Sequence, residues 1–260
     1  KGRLKAKRRK FKGYKLFLLI ILISFPASFF SFMHFFLSFF LNFQLSIIPL
    51  HCFNVECPPM PPFIVFEGPD GSGTSLHAKL LFKRLLEAKL SVISTFEPTD
   101  GPIGSIIREK LKSHDEIPPD ELQKLFVKDR EWHISEVIKP ALGKGSIVIS
   151  DRYYHSTICY GKALGLDETK LKNLNKDFIQ PQVVFFLLPP FEVCKERMSR
   201  REHHDSLEGN ELQMKVYEMY KKMAEEDPSI IVVDTSEEKE EVAENIYKHV
   251  CKKLELQVNS

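Results

Sequence analysis

The chain has 260 residues, of which 28% are charged and 43% hydrophobic, and its formal net charge is +2. This length suits one large domain or two small ones. Residues 1–55 contain no Asp or Glu, and residues 1–15 carry nine Lys or Arg. From Met60 onward, 28 Lys or Arg stand against 34 Asp or Glu, a net charge of −6. An acidic main domain argues against a basic nucleic-acid-binding protein, so we expect no nucleic-acid partner.

Residues 1–59 differ from the rest of the chain. Residues 16–50 carry no charge, and about 20 apolar residues span a bilayer, so one transmembrane helix or a hairpin bent at Pro26 would fit. The run is too long for a signal-peptide core and shows no small-residue cleavage site. Its bias toward Phe, Leu, Ile, Lys and Ser is typical of translated AT-rich DNA, and the sequence does not begin with Met. We therefore expect upstream translation or a leader that ends before Met60, and a membrane anchor is the alternative.

The five cysteines do not form a metal-binding pattern. Cys52 and Cys57 lack the second pair that a zinc site would need. Cys159, Cys194 and Cys251 are scattered, as is typical of reduced thiols in a cytosolic protein. We therefore expect a cytoplasmic location, with membrane tethering only if the apolar N-terminal run is a real anchor.

From Met60 onward, short apolar runs alternate with helical patterns. The runs lie at 63–66, 91–96, 146–150, 183–188 and 230–233. The helical patterns lie at 75–89, 102–113, 119–142, 167–177, 191–202, 210–226 and 237–254. Continuous apolar runs suit strands that are buried on both faces, and strands that alternate with helices pair in parallel. The sequence therefore predicts one α/β domain at 60–260.

A glycine-rich loop follows the first apolar run. Gly68 and Gly73 have the spacing of a phosphate-binding loop, and a helical pattern begins after Ser75. Strand, loop and helix in this order point backbone N–H groups at a phosphate, and a hydroxyl at Ser75 can bind Mg²⁺. Asp70, inside the loop, can hold a metal ion or a substrate hydroxyl. Thr74 stands where such loops carry lysine, and a plain strand-to-helix turn is the alternative interpretation.

Polar side chains also follow the other strands, at the end where ligands bind in open α/β sheets. Asp151 can hold Mg²⁺ and Arg152 can clamp a phosphoryl group, although an ordinary ion pair would look the same. Phe126 and Arg130 lie four residues apart on one helix face. They offer a ring for a base and a guanidinium for a phosphate, and their alternative roles are a core ring and a solvated charge.

A charge-dense segment follows the fourth run. Residues 196–208 contain three arginines and the pair His203-His204. In a phosphoryl-transfer enzyme such a segment forms a lid that brings arginines over the phosphates and excludes water. A solvated surface loop is the alternative. A metal site at the two histidines would lack a second ligand cluster.

Five short motifs lie between Phe66 and Tyr160, and together they carry a resemblance that covers essentially all of 60–254. They are Phe66-Glu67-Gly68-Pro69-Asp70-Gly71-Ser72-Gly73, Glu97-Pro98, Leu125-Phe126-x-x-x-Arg130-x-x-His133, Ile138-Lys139-Pro140-Ala141-Leu142 and Asp151-Arg152-Tyr153-x-x-Ser156-x-x-x-Tyr160. As a series they resemble thymidylate kinases of the nucleoside-monophosphate kinase group. The resemblance implies a P-loop NTPase-type three-layer sandwich, with a five-stranded parallel sheet flanked by helices and a short lid at about 197–209. It also implies a homodimer.

The resemblance implies an enzyme that uses ATP and Mg²⁺ to phosphorylate dTMP to dTDP. Phe126 would stack on the thymine ring, and Arg130 and Arg152 would bind the nucleoside monophosphate. Tyr160 would lie near the deoxyribose, and Asp70 between metal, phosphates and sugar. The implied substrate-binding residues are Glu97, Phe126, Arg130, Arg152, Thr157 and Tyr160.

On the donor side, the resemblance assigns ATP to the phosphate loop. The implied ATP-binding residues are Gly68, Pro69, Asp70, Gly71, Ser72, Gly73, Thr74 and Ser75. The implied metal-binding residues are Ser75, Asp70 and Asp151. Because the loop has no arginine of its own, the implied catalytic residues are Asp70 and Arg152 together with lid arginines, Arg200 or Arg201.

Two positions depart from the family pattern. Thr157 stands where some members have asparagine near the base. Thr74 removes a fixed cation from the transferred group, and loss of such a contact can cost about 2.7–4 kcal/mol in activation free energy. We expect a dTMP kinase. The alternatives are a kinase for another nucleotide or deoxynucleoside, and a non-catalytic nucleotide-binding protein disabled at Thr74.

Overall fold

The structure is a computed structural model of the chain. It describes residues 61–113, 117–200 and 206–255. These residues fall within one compact unit, Pro59–Ser260. The predictions for residues 1–59, for Arg201 and for His203-His204 concern positions outside the described residues.

Strands and helices alternate along the described chain. The strands are β1 Phe63–Glu67, β2 Val92–Phe96, β3 Ile147–Asp151, β4 Val183–Leu187 and β5 Ile231–Val233. The helices are α1 Thr74–Glu87, α2 Pro102–Ser113, α3 Pro119–His133, α4 Lys139–Gly143, α5 Tyr154–Ala163, α6 Glu168–Asn175, α7 Phe191–Ser199, α8 Asn210–Glu226 and α9 Lys239–Lys253. A π-helical turn at Ile134–Ile138 joins α3 to α4.

The five strands form one parallel sheet in the order β2-β3-β1-β4-β5. Asp151, the last residue of β3, pairs with Phe66 of β1 on one side and with Phe96 of β2 on the other. The carboxyl ends of these three strands are therefore level, and the loops that follow them leave the same edge of the sheet. This is the edge where the sequence predicts the site.

Helices cover both faces of the sheet. Ile64 and Phe66 of β1 pack with α1 and α9 in the larger hydrophobic cluster. Phe63 and Val65 point to the opposite face, because successive side chains of a strand alternate, and pack with the π-helical turn and α4. Farther along that face, Phe186 of β4 packs with α5 and α8. The predicted three-layer sandwich with a five-stranded parallel sheet is confirmed.

The helices differ from the sequence pattern in three places. The pattern at 119–142 predicts one helix, and the structure instead has α3, the π-helical turn and α4. Pro140 accounts for the change, because it has no N–H to donate and its ring crowds the carbonyl four residues earlier. Helix α5 has no counterpart in the predicted pattern. Helix α7 ends at Ser199, so the first three residues of the predicted lid at 197–209 are helical.

Candidate active site

The glycine-rich loop lies between β1 and α1. Gly73 has a left-handed conformation, with φ of 95°, and directly precedes Thr74, the first residue of α1. Gly71 has φ of 79°, and a Cβ atom there would lie 2.3 Å from the carbonyl oxygen of Cys194. The path of the loop therefore requires glycine at both positions. The first N–H groups of α1 have no partners within the helix and are available to an anion.

Two side chains from outside the loop hold its backbone. Arg197 of α7 donates from Nη1 to the Gly71 carbonyl at 3.4 Å and to Thr235 Oγ1 at 3.1 Å. Its Nη2 donates to the Thr235 carbonyl at 2.6 Å. The Thr235 hydroxyl in turn donates to the Ser72 carbonyl at 2.7 Å. An arginine from the start of the predicted lid thus braces the loop.

His77 lies one helical turn beyond the loop, on α1. Its side chain is buried, and its Nδ1 atom has no hydrogen-bond partner in the part of the chain that the structure describes. Burial, and then the positive charge of Arg197, lower the pKa of His77 to about 4. The imidazole is therefore neutral at neutral pH.

Ser75 and Asp151 meet across the edge of the sheet. The Ser75 hydroxyl donates to Oδ2 of Asp151. The other carboxylate oxygen, Oδ1, is buried and has no hydrogen-bond partner among the described residues. A serine hydroxyl beside a carboxylate with a free oxygen fits Mg²⁺, which takes few protein ligands and completes its shell with water and substrate phosphates. No group of three or more His, Cys, Asp or Glu that could hold a metal occurs in the described ranges.

Asp70 is the centre of a hydrogen-bond network at the other side of the loop. Arg152 Nη2 donates to Asp70 Oδ1 at 2.6 Å, and the hydroxyl of Tyr160 donates to Oδ2 at 2.9 Å. Gln213 of α8 donates to Oδ2 at 2.7 Å and accepts from the Asp70 N–H at 3.0 Å. Burial, and then the charge of Asp70, raise the pKa of Tyr160, so its hydroxyl remains a donor.

Arg152 is held in an unusual backbone conformation. Its φ is 72°, which is uncommon for a residue with a side chain. Glu67, the last residue of β1, holds the turn that follows: Oε1 accepts from the N–H groups of Tyr153 at 2.8 Å and Ser156 at 3.2 Å. Arg152 Nη1 also donates to the Gly68 carbonyl at 2.9 Å. The turn thus places the guanidinium between the phosphate loop and Asp70.

Glu67 is completely buried and carries a perturbed carboxyl group. Its Oε2 accepts from the hydroxyls of Ser156 at 2.6 Å and Tyr220 at 2.9 Å. Burial favours the neutral acid, but the nearby His155 and the Ser156 hydroxyl outweigh it and lower the pKa of Glu67. The carboxylate therefore stays ionised and keeps four donors in place.

Arg130 belongs to a second buried network. Its Nε and Nη2 both donate to Glu97 Oε2, at 3.0 and 2.7 Å. Nη1 donates to Asn175 at 2.6 Å, and Nη2 donates to the Thr157 hydroxyl at 3.1 Å. The other oxygen of Glu97 lies 2.9 Å from Nδ1 of His133. The guanidinium is therefore fixed from three sides.

A cleft opens between these two networks. It is lined by Asp70, Pro98, Leu111, Gln123, Phe126, Arg152, Ser156, Thr157, Tyr160 and Leu207. Charged and hydroxyl groups line one part of the wall, whereas Pro98, Leu111 and Phe126 supply an apolar part. Such a cleft suits a small molecule that has both an anionic group and a flat apolar face.

Most of the sequence-predicted site residues come together here, but Glu97, Arg130 and Arg200 do not line the cleft. Arg130 is 1% exposed and lies beneath the cleft wall, where it donates to the Thr157 hydroxyl. Glu97 is 6% exposed and lies behind Arg130 instead of lining the cleft. Arg200 is exposed at the end of α7 and pairs with Glu196 of the same helix at 2.5 Å. Arg201 lies outside the described residues, so the predicted roles of both lid arginines stay predictions.

Sequence reasoning missed Glu67, Gln213 and Thr235 as parts of this site, and it counted Arg197 as a lid arginine, not as a brace of the loop. A signal existed for Glu67, because a carboxylate that ends a fully apolar strand needs buried partners. Gln213 and Thr235 come from segments that are distant in sequence, and no local pattern marks them.

The sequence of this chain is similar to those of known proteins. The sequence model of the thymidylate kinase family matches residues 66–246. A probable thymidylate kinase of Thermococcus kodakarensis is 38% identical over 193 residues, which is 71% of this chain and 94% of the relative. A thymidylate kinase of Brachyspira hyodysenteriae is 37% identical, and the match covers 70% of this chain and 90% of the relative. A probable thymidylate kinase of Methanocaldococcus jannaschii is also 37% identical, and the match covers 70% of this chain and 92% of the relative. The chain therefore belongs to the thymidylate kinase family.

Proposed function

We propose that this chain transfers the γ-phosphoryl group of ATP to dTMP and releases dTDP and ADP. The observation that carries the proposal is the position of Arg152. Its guanidinium donates both to the carbonyl of Gly68, in the phosphate loop, and to Asp70, in the cleft beside that loop. One side chain thus stands where a donor phosphate and an acceptor phosphate would meet.

On the acceptor side, each group in the cleft matches one part of a pyrimidine deoxynucleotide. Arg152 binds the phosphate, and the bonded pair Tyr160 and Asp70 lies against the sugar. Phe126 stacks on the base. Arg130 lies at the same end of the cleft, where it donates to the hydroxyl of Thr157 and so fixes that side chain. Glu97 positions Arg130 and does not itself touch the substrate.

On the donor side, the backbone N–H groups of Gly68–Ser75 cradle the phosphates of ATP. Ser75 and Asp151 would hold Mg²⁺, directly or through water, and a bound Mg²⁺ neutralises charge on the phosphates during transfer. Asp70, engaged by Arg152 and Tyr160 of the cleft and by Gln213 of α8, is assigned to the acceptor. Its predicted role as a metal ligand stays a prediction.

Transfer itself requires little covalent chemistry from the protein. An oxygen of the dTMP phosphate attacks the γ-phosphorus, and the bond from that phosphorus to the oxygen bridging it to the β-phosphorus breaks, so ADP leaves. Phosphate oxygens are already ionised at neutral pH, and no general base is needed. The side chains therefore act by orienting two anions and by stabilising charge.

The proposal is tested by a transfer assay on the purified chain with ATP, Mg²⁺ and dTMP, in which ADP release and dTDP are both measured. We expect stoichiometric dTDP and ADP. A folded protein that forms no dTDP above background would refute the proposal. Parallel reactions with dUMP, dCMP and thymidine decide between dTMP and the alternative acceptors.

Thr74 favours one second candidate, a nucleotide-binding protein without catalysis, because it stands where such loops carry a lysine. Binding of ATP and dTMP without transfer, with strong transfer restored by Thr74→Lys, would support that candidate. If the kinase proposal holds, the wild type is active and Thr74→Lys changes kcat less than tenfold, because other groups already supply the positive charge.

We assign that charge to the lid. Arg200 and Arg201 are the candidates, and closure over bound ATP would bring them to the phosphates. Replacing both with alanine should lower kcat at least a hundredfold, while Lys195→Ala, an exposed control on α7, should leave it within twofold. Unchanged turnover in the double variant would refute this assignment.

We also propose a homodimer in the cytoplasm. Strand β2 is an edge strand of the described sheet, and Phe96 at its end and Ile106 on α2 are each 41% exposed. These two exposed apolar side chains are our candidates for the interface. Light scattering should give a mass near twice 30.1 kDa, and a monomer at micromolar concentration would contradict the dimer.

None of the helices in the described part of the chain is long and apolar enough to cross a membrane.

A further inference from the structure

Gln123, on α3, is buried without a hydrogen bond. Gln123 is 1% exposed, and neither its Oε1 nor its Nε2 atom has a hydrogen-bond partner within 61–113, 117–200 and 206–255. A buried amide without partners destabilises the folded protein, because water satisfied both atoms in the unfolded chain. Such a group in a native structure calls for a physical reason.

The other polar side chains that line the cleft are all engaged. Arg152 and Tyr160 both bond to Asp70, Ser156 bonds to Glu67, and Thr157 bonds to Arg130. In the described cleft wall, Gln123 alone has both a free donor and a free acceptor.

The helix places Gln123 at the base end of the cleft. It lies three residues before Phe126 and seven before Arg130, so the three residues form a stripe along one face of α3. Pro98 and Leu111 line the cleft with it. The charged end of the cleft is formed instead by Arg152 and by residues bonded to it.

We propose that Gln123 is a specificity-determining residue, whose carboxamide hydrogen bonds with the polar edge of the acceptor's pyrimidine base. This inference rests on the proposed function and names what the cleft reads on its substrate. A carboxamide presents a donor beside an acceptor. The thymine edge presents the C4 carbonyl beside N3–H, which is the complementary pair, and both bonds form in one plane.

The same geometry predicts how a substitution at this residue changes the preference between bases. Cytosine presents an amino group at C4 and an acceptor at N3, so it would require the amide to rotate by half a turn. A carboxylate at this position could accept from the cytosine amino group but could not donate to the thymine carbonyl. The Gln123→Glu substitution should therefore shift the preference from dTMP toward dCMP.

The test uses the full chain as wild type, Gln123→Met, Gln123→Glu and the control Gln180→Met, which alters an exposed glutamine far along the chain. We measure kcat and KM with dTMP and dCMP at saturating ATP, and the thermal unfolding midpoint without ligand. Gln123→Met should raise KM for dTMP at least tenfold with kcat within threefold. Its unfolding midpoint should stay the same or rise, because the unpartnered amide is gone. Gln123→Glu should lower the dTMP-to-dCMP ratio of kcat/KM at least tenfold.

The outcomes separate this inference from the proposed function. An unchanged KM in Gln123→Met, with a higher unfolding midpoint, would overturn the inference and leave the kinase intact. So would an unchanged substrate ratio in Gln123→Glu. If the wild type transfers nothing, the proposed function fails, and calorimetric binding of dTMP and dCMP to the same variants still decides the role of Gln123. If Gln123→Met does not fold, the isosteric Gln123→Glu decides the question.

Discussion

The acceptor half of the site is the cleft for dTMP, and its charged side chains already pair with one another. The donor half is the phosphate loop for ATP, and it presents mainly backbone groups and atoms without partners. Arg152 bonds to Asp70, and Arg130 bonds to Glu97, without any substrate. At the donor half, the described residues include the unpartnered Oδ1 of Asp151 beside a loop of N–H groups. The first half is organised in advance, and the second is completed by what binds.

The difference follows from where the charges come from. Arg130 is 1% exposed, and a buried guanidinium without a counter-ion would be costly, so Glu97 accompanies it. ATP brings its own charge to the loop, which can therefore work with neutral donors. Replacing a charged side chain of the acceptor half should therefore have the largest effect on activity. Replacing a residue that supports the site should have a smaller effect.

The largest expected effect is at Arg152. The Arg152→Met substitution should lower kcat/KM for dTMP by a hundredfold to a thousandfold, because it removes a positioned donor and leaves Asp70 without its cation. Steady-state kinetics of ADP release measure the change. The control Arg84→Met replaces an exposed arginine in the last turn of α1 that pairs with Glu244 of α9, and should stay within twofold. A variant of Arg152 that keeps more than a tenth of wild-type activity would show that the acceptor half is organised differently.

The next effect concerns the support beneath Arg152. The Glu67→Ala substitution should lower the free energy of unfolding by about 3 kcal/mol, because two N–H groups and two hydroxyls lose their buried acceptor. Glu67→Gln keeps one carbonyl oxygen and should cost less than half as much. Urea unfolding at pH 7 measures both. Equal, small losses in the two variants would mean that the carboxylate does not hold the turn.

The smallest effect is a pH dependence in the donor half. The pKa of His77 falls from 6.5 in the unfolded chain to about 4 in the folded protein. A pKa lowered by folding means that the unfolded state binds the proton more readily. The contribution of neutral His77 to the free energy of unfolding is therefore complete above about pH 6.5 and is lost as the pH falls toward 4. Between pH 7 and 5 the loss is about 2 kcal/mol.

This prediction is checked by urea unfolding of the wild type and of His77→Gln at pH 7, 6 and 5. The wild type should lose about 2 kcal/mol more than the variant over this range. His249→Gln, which replaces an exposed histidine on α9, serves as the control and should parallel the wild type. Parallel curves for His77→Gln and the wild type would mean that the ring is not kept neutral by its surroundings.

The sequence predicted most of the fold because each strand is a short apolar run bounded by polar turns. All five runs are strands, displaced at their ends by one residue at most. Helix α5 was missed because it is buried on most sides: His155, Thr157, Ile158, Cys159, Tyr160 and Gly161 are all buried. Such a helix has no polar face, and periodicity cannot reveal it.

The sequence by itself determined the glycine loop, the parallel sheet and the cleft residues Phe126 and Arg152, because these depend on local spacing and on the rule that ligands bind at the carboxyl ends of parallel strands. Tyr160 came from the family resemblance alone. Only the tertiary structure decided that Glu67 supports Arg152 and that Gln123 is left without a partner. Hydrogen bonds between residues far apart in sequence depend on how helices pack, and no local pattern records which polar groups remain unpaired.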